Sequence, residues 1–371
     1  MKDHSLLGSM PENNKRIRVF HGIVNYGSQA SLLARALRKL GIDAAAYTQH
    51  DVFGRETDFS FRARKNIFLK AIFYKLIYPL VKLYCFFRYN TFHFYFGKTL
   101  TKSRWDLPFY RIFGKKVLME YLGNDIRSYR LLNDRYGMPV EQCFGESAEK
   151  HDNKVQARVD KERPYLDYIL ACLPTHIEFG KEYSLEIDEI LPLAIDLSKI
   201  DYDPLSLGSD ALIKIAHAPT SRGFKGTEII AMAVEKLQAE GLGVELVVLE
   251  GLAHSELLTE IRRCHIFIDQ ISVGWYGTVA LEAMAIGRPT CAFIDKSYLR
   301  HVDYGGEMPV INVIRANIAD VLRDLIGDID GLCLIGARSR KFVEEHHDVQ
   351  KIALQLKRIY QEKVWKKKHG S

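Results

Sequence analysis

The chain lacks several features that would place it in a familiar class. Its six cysteines, at positions 85, 143, 172, 264, 291 and 333, form no Cys-x-x-Cys pair, which argues against a zinc or thiol-redox site and for a reducing compartment. Residues 1 to 16 are polar, so we expect no secretory signal and a cytoplasmic protein. Charged residues and Pro79 interrupt the apolar run 67–87, so no segment forms the span of about twenty apolar residues that crosses a membrane.

Acidic residues are scarce in one part of the chain. Between residues 61 and 118 there are thirteen Lys and Arg but one acidic residue, Asp106, although the whole chain has a net charge of only +6. Phe and Tyr interleave with these cations, a composition that suits an anionic membrane surface, here the inner face of the cell membrane. The alternatives are a buried helix pair with snorkelling lysines and single-stranded nucleic acid, and we expect no nucleic-acid partner.

The order of apolar runs predicts an α/β protein. A strand at 16–22, a helix that Ser28 or Ser31 caps and that ends at Leu40, and a strand at 42–47 form a βαβ unit, the start of a parallel sheet. Further strands are predicted at 91–95, 116–121 and 168–173, and further helices at 68–87 and 160–168. The length of 371 residues suits two domains, and the turn-rich segment 201–209 is typical of a linker.

After this linker the alternation of strands and helices begins again. Strands are predicted at 213–217, 244–249, 265–269 and 290–294, and helices at 227–239, at 255–264, around Glu282 and at 338–365. We therefore predict two Rossmann-like, doubly wound domains that face each other across a cleft, at 1–195 and 196–345. Residues 346–371 are predicted to be a helix that crosses back to the first domain, followed by the tail.

The most specific motif is the segment 274–290, with the sequence GWYGTVALEAMAIGRPT. Its glycine turn opens a helix, and the unpaired N–H groups at a helix start attract anions. Glu282 lies inside the helix among apolar residues, so we expect hydrogen-bond donors to meet it. Phosphate at the turn and sugar hydroxyls at Glu282 would suit a nucleotide, and a buried helix with one Glu beside a loop is the simpler alternative.

A second motif, 217–227 with the sequence HAPTSRGFKGT, follows a predicted strand and opens the next helix. Arg222 and Lys225 between glycines could cradle a pyrophosphate through charge and backbone N–H groups. A basic surface loop at a helix start is the alternative here.

Together the two motifs resemble the donor site of glycosyltransferase family 4, whose members have the GT-B fold. Lys225-Gly226 matches the Lys-Gly pair whose Lys contacts donor phosphates, and 281–289 matches Leu-Glu-Ala-Met-Ala-x-Gly-x-Pro. The resemblance extends to 21–27, 92–97, 114–127 and 191–196, and so to nearly the whole chain. It implies retaining transfer of a sugar from a nucleotide sugar to a glycan or lipid-linked acceptor, in cell-surface polysaccharide or glycolipid synthesis.

The resemblance also implies roles for particular residues. Catalysis is assigned to Lys225, Arg222 and Asp125, and the acceptor side to His21, Asn25 and Asp125. His254 and 269–270 are placed at the nucleotide pocket. No cofactor is expected, and the reaction is expected to be independent of metal. The donor-binding residues are predicted to be Gly27, Arg222, Gly223, Lys225, Tyr276, Gly277, Thr278 and Glu282.

Several positions depart from the family pattern. Gly274 stands where the family has a Glu that touches the transferred sugar, and Leu122 stands where it has a His. Pro219 occupies the position of a family Arg, and Ala194 that of a Gly. Two alternatives therefore stay open: a catalytically silent paralogue that binds a nucleotide sugar, or another nucleotide-sugar enzyme of this fold, such as an epimerase.

Overall fold

Two parallel sheets organise the chain. The computed structural model describes residues 16–49, 57–60, 73–207, 212–304 and 308–366. The first sheet has the strand order β3-β2-β1-β4-β5-β6-β7 and the second the order β12-β11-β10-β8-β9. The strands are β1 Arg18–Ile23, β2 Asp43–Thr48, β3 Phe59–Ser60, β4 Thr91–Tyr95, β5 Lys116–Tyr121, β6 Tyr168–Ala171, β7 Glu189–Ile190, β8 Ile213–His217, β9 Val244–Val248, β10 Ile266–Ile268, β11 Thr290–Ala292 and β12 Ile311–Asn312.

Helices connect the strands and cover both faces of the sheets. Seven helices of the first part are α1 Gln29–Lys39, α2 Tyr78–Arg88, α3 Leu107–Ile112, α4 Tyr129–Tyr136, α5 Val140–Phe144, α6 Ala148–Glu162 and α7 Thr175–Glu182. Seven more follow: α8 Arg222–Lys225, α9 Thr227–Ala239, α10 His254–Arg262, α11 Thr278–Ile286, α12 Ile318–Gly327, α13 Ile329–His346 and α14 Val349–Arg358. A π-helical turn, Phe73–Ile77, precedes α2, and another, Ile359–Val364, extends α14.

The first sheet is buried on both faces, as parallel sheets require. On one face Phe20, Phe92 and Phe94 are fully buried among aromatic neighbours. On the other, Val19 and Leu118 pack in a core to which α1 and α14 contribute apolar side chains. The C-terminal helix therefore lies against the first sheet.

The predicted helix 338–365 is wrong as one element, because the chain breaks between α13 and α14. Asp348 begins α14, and its carboxylate accepts a hydrogen bond from the N–H of Gln350 at 2.9 Å. His347 fills the break: its Nδ1 lies 2.8 Å from the carbonyl oxygen of Leu193, and its own carbonyl accepts from the N–H of Ile195. A capping residue and a buried histidine thus turn the chain from one sheet towards the other.

The predicted α/β class with two doubly wound sheets is confirmed. The strands predicted at 91–95, 116–121 and 213–217 and the helix at 227–239 match the structure. The helix predicted at 160–168 is wrong, since α6 ends at Glu162 and Pro164 lies in a short turn before β6. Of the helix predicted at 68–87, residues 68–72 lie outside the described residues.

The cap predicted for α1 is also wrong. Ser28 occupies the capping position with φ of 62°, but its side chain makes no capping bond. The side-chain oxygen of Asn25 accepts the N–H of Ser31 instead, at 3.1 Å. No helix among the described residues is long and apolar enough to cross a membrane.

Candidate active site

The topology creates a crevice at the carboxyl edge of each sheet. In the first sheet the strand order reverses between the neighbours β1 and β4, because β2 follows on the outer side of β1 and β5 on the outer side of β4. In the second sheet the order reverses in the same way between β8 and β10. Ligands of open α/β sheets bind at such switch points. The loop after β1 contains Gly27, and the loops after β8 and β10 contain Lys225 and the turn before α11.

The two crevices meet at the start of α11. Gly27 has φ of 52°, and a Cβ added there would lie 3.0 Å from Oγ1 of Thr278, the first residue of α11. A side chain at this position would press on Thr278 and strain the left-handed backbone, so glycine favours the close approach of the first domain's loop to the helix. The predicted donor residues Gly27, Gly277 and Thr278 are therefore neighbours in space.

Lys225 and Asp269 form an ion pair below this helix start. The ammonium of Lys225 contacts Oδ1 of Asp269, and Oδ2 of Asp269 accepts the N–H of Gly277 at 2.7 Å. The Asp269 side chain is 1% exposed and that of Lys225 is 13% exposed. Asp269 thus fixes the lysine beside the first N–H groups of α11, which have no partner within the helix. Positive charge and N–H dipoles converge there, as an anion site requires.

Glu282 lies one turn further along α11. The residue is 8% exposed, and its Oε1 lies 2.7 Å from Nε2 of His254, whose side chain is half exposed at the start of α10. A nearly buried carboxylate needs a donor, and His254 supplies one in this state. Because that donor is exposed, a hydroxyl-bearing ligand could share Glu282 with it or replace it.

Arg222 and Gly223 occupy the other side of the second motif. The guanidinium of Arg222 contacts Glu250 at 3.0 Å and Glu228 at 3.3 Å, and not the Lys225–Asp269 pair. A Cβ on Gly223 would lie 3.4 Å from Sγ of Cys143 in α5. The structure therefore places Arg222 on surface carboxylates, and its role at a diphosphate stays a prediction.

Tyr276 turns its ring away from the crevice. It is 1% exposed, and its hydroxyl lies 3.1 Å from Nε2 of His347 and 3.3 Å from the hydroxyl of Tyr304. Burial raises the pKa of the Tyr276 phenol well above its usual value. In this structure Tyr276 can therefore offer a ligand its backbone, while its ring anchors the turn to the core.

Two of the predicted acceptor-side residues have structural contacts. Asn25 is 3% exposed and holds the start of α1 through Ser31. His21 is fully buried, with Nδ1 2.7 Å from the hydroxyl of Tyr95 and Nε2 3.3 Å from that of Tyr360. His21 thus lies between the first sheet and the C-terminal π-helical turn, and its acceptor role stays a prediction.

Asp125 shapes the loop after β5. Its carboxylate accepts the N–H groups of Gly123 at 2.6 Å and Leu122 at 3.2 Å, and burial raises its pKa to about 6. Its carboxylate is thus the centre of a tight turn. A role towards an acceptor stays a prediction.

Sequence reasoning missed Arg127, which follows this turn. Its Nη1 donates to Oδ1 of Asn124 at 2.9 Å, and its guanidinium lies 5.2 Å from the ring centre of Phe224 in α8. Burial lowers its pKa from the usual value, and within the described ranges no carboxylate forms an ion pair with it. An arginine without a carboxylate, beside the loop of Lys225, is available for an anionic ligand. Its proximity to the second motif appears only in the fold.

Gly274 lies at a crowded position that leaves no room for a side chain. It has φ of 72°, and a Cβ there would lie 2.8 Å from the hydroxyl of Tyr136 and 3.1 Å from Cβ of Asp295. Tyr136 comes from the first sheet's α4, and its hydroxyl contacts Oδ2 of Asp295 at 3.0 Å. Arg135 contacts the same oxygen at 2.9 Å. A carboxylate from elsewhere in the chain, Asp295, thus lies next to this position.

We expect Gly274→Ala to lower the free energy of unfolding by about 2–4 kcal/mol, through a left-handed backbone and a steric clash. Gly241→Ala is the matched control, because Gly241 has φ of 88° with open space around it. Urea unfolding of both variants separates the two causes. Equal losses of unfolding free energy in the two variants would show that Tyr136 and Asp295 move aside without cost.

Two Asp-x-Asp sequences occur away from the donor loops. Asp203 forms an ion pair with Arg288, and Asp328 accepts the N–H of Gly331 at 2.9 Å at the start of α13. Within the described residues, no group of three His, Cys, Asp or Glu side chains has the arrangement of a metal site.

The comparisons with known proteins bear on the fold. No protein-family model matches the chain, and no curated protein sequence is significantly similar to it. Sucrose-phosphate synthase from Thermosynechococcus elongatus matches with a TM-score of 0.61 and 17% identity, over 93% of this chain and 98% of that chain. A glycosyltransferase from Rickettsia africae matches with a TM-score of 0.58 and 13% identity, over 95% and 100%.

HepE from Anabaena, solved in complex with UDP-glucose, matches with a TM-score of 0.58 and 13% identity, over 93% of this chain and 99% of that chain. At these identities the likeness concerns architecture, and it extends over both sheets and their connection. The chain therefore has the GT-B fold, with two Rossmann-like domains that face each other across a cleft.

Proposed function

We propose that this protein is a retaining glycosyltransferase that moves a sugar from a nucleoside-diphosphate donor to a glycan or lipid-linked acceptor, in polysaccharide or glycolipid synthesis. The observation that carries the proposal is the assembly at the start of α11. Asp269 holds Lys225 beside the first N–H groups of α11. Gly27 of the first domain lies so close that an added Cβ would be 3.0 Å from Oγ1 of Thr278, and Glu282 lies one turn further along α11. This arrangement offers a diphosphate and a ribose their complementary groups.

The residues would act mainly through charge. When the bond between the sugar's anomeric carbon and the diphosphate breaks, its electron pair stays on the phosphate oxygen. Lys225 and the N–H groups of α11 would stabilise that negative charge. Such electrostatic stabilisation of the transition state is the largest contribution to catalysis in many enzymes. The acceptor hydroxyl would attack from the same face, and its proton would pass to the departing phosphate. This route needs no protein nucleophile, and Glu282 would position the ribose.

A screen of nucleotide sugars tests the proposal. UDP-glucose comes first, because the Anabaena protein of this fold was solved with it. A thermal-shift panel should identify a donor that raises the melting temperature, and that donor should then be slowly hydrolysed or transferred. The absence of any shift across uridine, guanosine, adenosine, cytidine and thymidine diphosphate sugars would overturn the proposal.

We expect Glu282→Gln to weaken donor binding by about tenfold, because a charged acceptor of hydroxyl hydrogen bonds is lost. His254→Ala should weaken binding much less, since it removes only the histidine that holds Glu282 at 2.7 Å in the free state. Calorimetric titration with the donor from the screen provides the measurement. A stronger effect of His254→Ala than of Glu282→Gln would assign the nucleotide contact to the histidine.

The departures at Gly274 and Leu122 favour one second candidate, a silent paralogue that binds a nucleotide sugar without transferring it. Donor binding with no hydrolysis or transfer would support this candidate. Tight binding of the donor by Lys225 and Glu282 is common to both, so turnover decides between them.

A further inference from the structure

The helices α2 and α3 expose apolar faces. The segment 73–88 buries Tyr78 and Cys85 in the core, so the opposite side of the helix points outwards. Positions 76, 80, 83 and 87 follow helical spacing and form one stripe. On this side the side chains are 45–65% exposed: Leu76, Ile77, Leu80, Leu83, Tyr84 and Phe87. The buried helix pair considered from the sequence is therefore wrong for this face.

Helix α3 continues the same surface. It buries Leu107 and Tyr110, and the exposed residues around it are 44–74% exposed: Trp105, Phe109, Ile112 and Phe113. The rings of Phe86 and Phe87 lie 5.3 and 6.2 Å from that of Phe113, so the two helices touch. We call these ten exposed side chains the apolar ridge. Soluble monomers rarely expose a contiguous surface of this kind without a partner.

The surface around the ridge is positively charged. Lys75 on the π-helical turn before α2, Lys102 before α3 and Arg111 on α3 are exposed. Asp106 is the only acidic residue from 73 to 118, and it is buried with hydrogen bonds to Thr99, Thr101 and Tyr110. No described residue in this range therefore places negative charge on the surface.

We propose that the apolar ridge inserts into the interface of an anionic phospholipid bilayer, with the surrounding Lys and Arg side chains at the headgroup phosphates. Apolar side chains bordered by cations match the layered chemistry of such a surface. A second copy of the chain would bring like charges together. Half of the ridge is aliphatic, including Leu80, Leu83 and Ile112, and these side chains offer bases no ring to stack on, whereas all ten can insert among lipid chains.

The inference stands on the ridge itself and does not depend on sugar transfer. Together with the proposed function, it would bring a lipid-linked acceptor to the first domain. Membrane binding without donor turnover would leave the ridge supported and the transferase proposal contradicted. Donor turnover without membrane binding would do the reverse.

Vesicle flotation tests the ridge with the full-length protein. We expect binding to vesicles of phosphatidylcholine with one-third phosphatidylglycerol to exceed binding to phosphatidylcholine alone by about tenfold or more, since each cation near an anionic surface contributes. Of the three tryptophans, Trp105 is 62% exposed, Trp275 only 2%, and Trp365 is partly buried against the first sheet, so brominated lipid should quench Trp105 in particular. Equal partition onto neutral and anionic vesicles would overturn the proposal.

Variants separate the ridge from other surfaces. Leu80→Ser with Ile112→Ser should reduce vesicle binding by about tenfold or more, because less apolar surface inserts. Leu334→Ser, at a position 62% exposed on α13, is the matched control and should bind like the natural chain. Unchanged melting temperatures verify folding. Unaltered vesicle binding by the double variant, or a stable dimer in ultracentrifugation that this variant dissociates, would contradict the lipid assignment.

Discussion

Lys225→Met should reduce kcat/KM for donor turnover by about 100- to 1,000-fold, the effect of removing one donor that faces developing charge. The ammonium of Lys225 is held by Asp269 at the start of α11, where the diphosphate of the donor is proposed to depart. Initial rates of nucleoside-diphosphate release measure the effect. Lys236→Met on the exposed side of α9 is the matched control, and it should keep full activity.

A folding defect must be separated from this catalytic loss. The substitution leaves the buried carboxylate of Asp269 without its cation, which costs about 3–5 kcal/mol for a buried pair. Adding Asp269→Asn removes the stranded charge and should restore part of the free energy of unfolding. Turnover should stay low in the double variant. Recovered turnover would show that Lys225 acts only by supporting the fold.

The second large effect is a loss of folding stability at acidic pH. Burial lowers the pKa of four histidines that hydrogen-bond inside the protein, to about 3 for His93 and about 4 for His347, and well below 6.5 for His21 and His176. The unfolded chain binds these protons and the folded chain does not, so the stabilisation present above pH 6.5 is lost as the pH falls. Between pH 6 and 5 the free energy of unfolding should drop by roughly 2–3 kcal/mol, after the opposing effects of Glu120 and Asp125, whose pKa values burial raises. Urea unfolding at each pH measures this drop, and an unchanged midpoint over that interval would contradict the neutral histidines.

Glu120 has the opposite effect on stability, which it lowers as the pH rises. It contacts Nε2 of His93 at 3.0 Å, in a buried chain that continues from His93 to Tyr360 at 2.7 Å and from Tyr360 to His21. Burial raises the pKa of Glu120 to about 8, so its stabilising effect is present at low pH and is lost as the pH rises towards 8. Maximal stability should therefore lie near pH 7. In Glu120→Gln the decline in stability between pH 7 and 8 should disappear, whereas the loss of stability at acidic pH should remain.

The sequence was sufficient for elements whose pattern is local. The strands at 91–95 and 116–121 are rich in aromatic and aliphatic residues over a strand's length, and the helix at 227–239 follows a glycine and shows helical spacing. The break at His347 could not be predicted in this way. It depends on bonds to Leu193 and Ile195, about 150 residues away along the chain.

The candidate site shows the same division. The motifs placed Lys225, Gly277 and Glu282 on loops and helices that the fold brings to one crevice. The resemblance had placed His254 and Asp269 at the nucleotide pocket, but their pairing with Glu282 and Lys225 was not predicted, and Arg127 carried no motif of its own. The side-chain directions of Arg222 and Tyr276 depend on Glu250 and His347, contacts that spacing in the sequence does not reveal.

The most direct test of the account is the binding of nucleoside diphosphates to the folded protein in buffer with EDTA. We expect one of UDP, GDP, ADP, CDP or TDP to bind the natural chain, and Glu282→Gln and the Lys225→Met/Asp269→Asn double variant each to weaken that binding by about tenfold or more. The Lys236→Met control should bind like the natural chain. Binding that is equal in all four proteins would contradict a nucleotide site at the start of α11, and so would no binding by the natural chain.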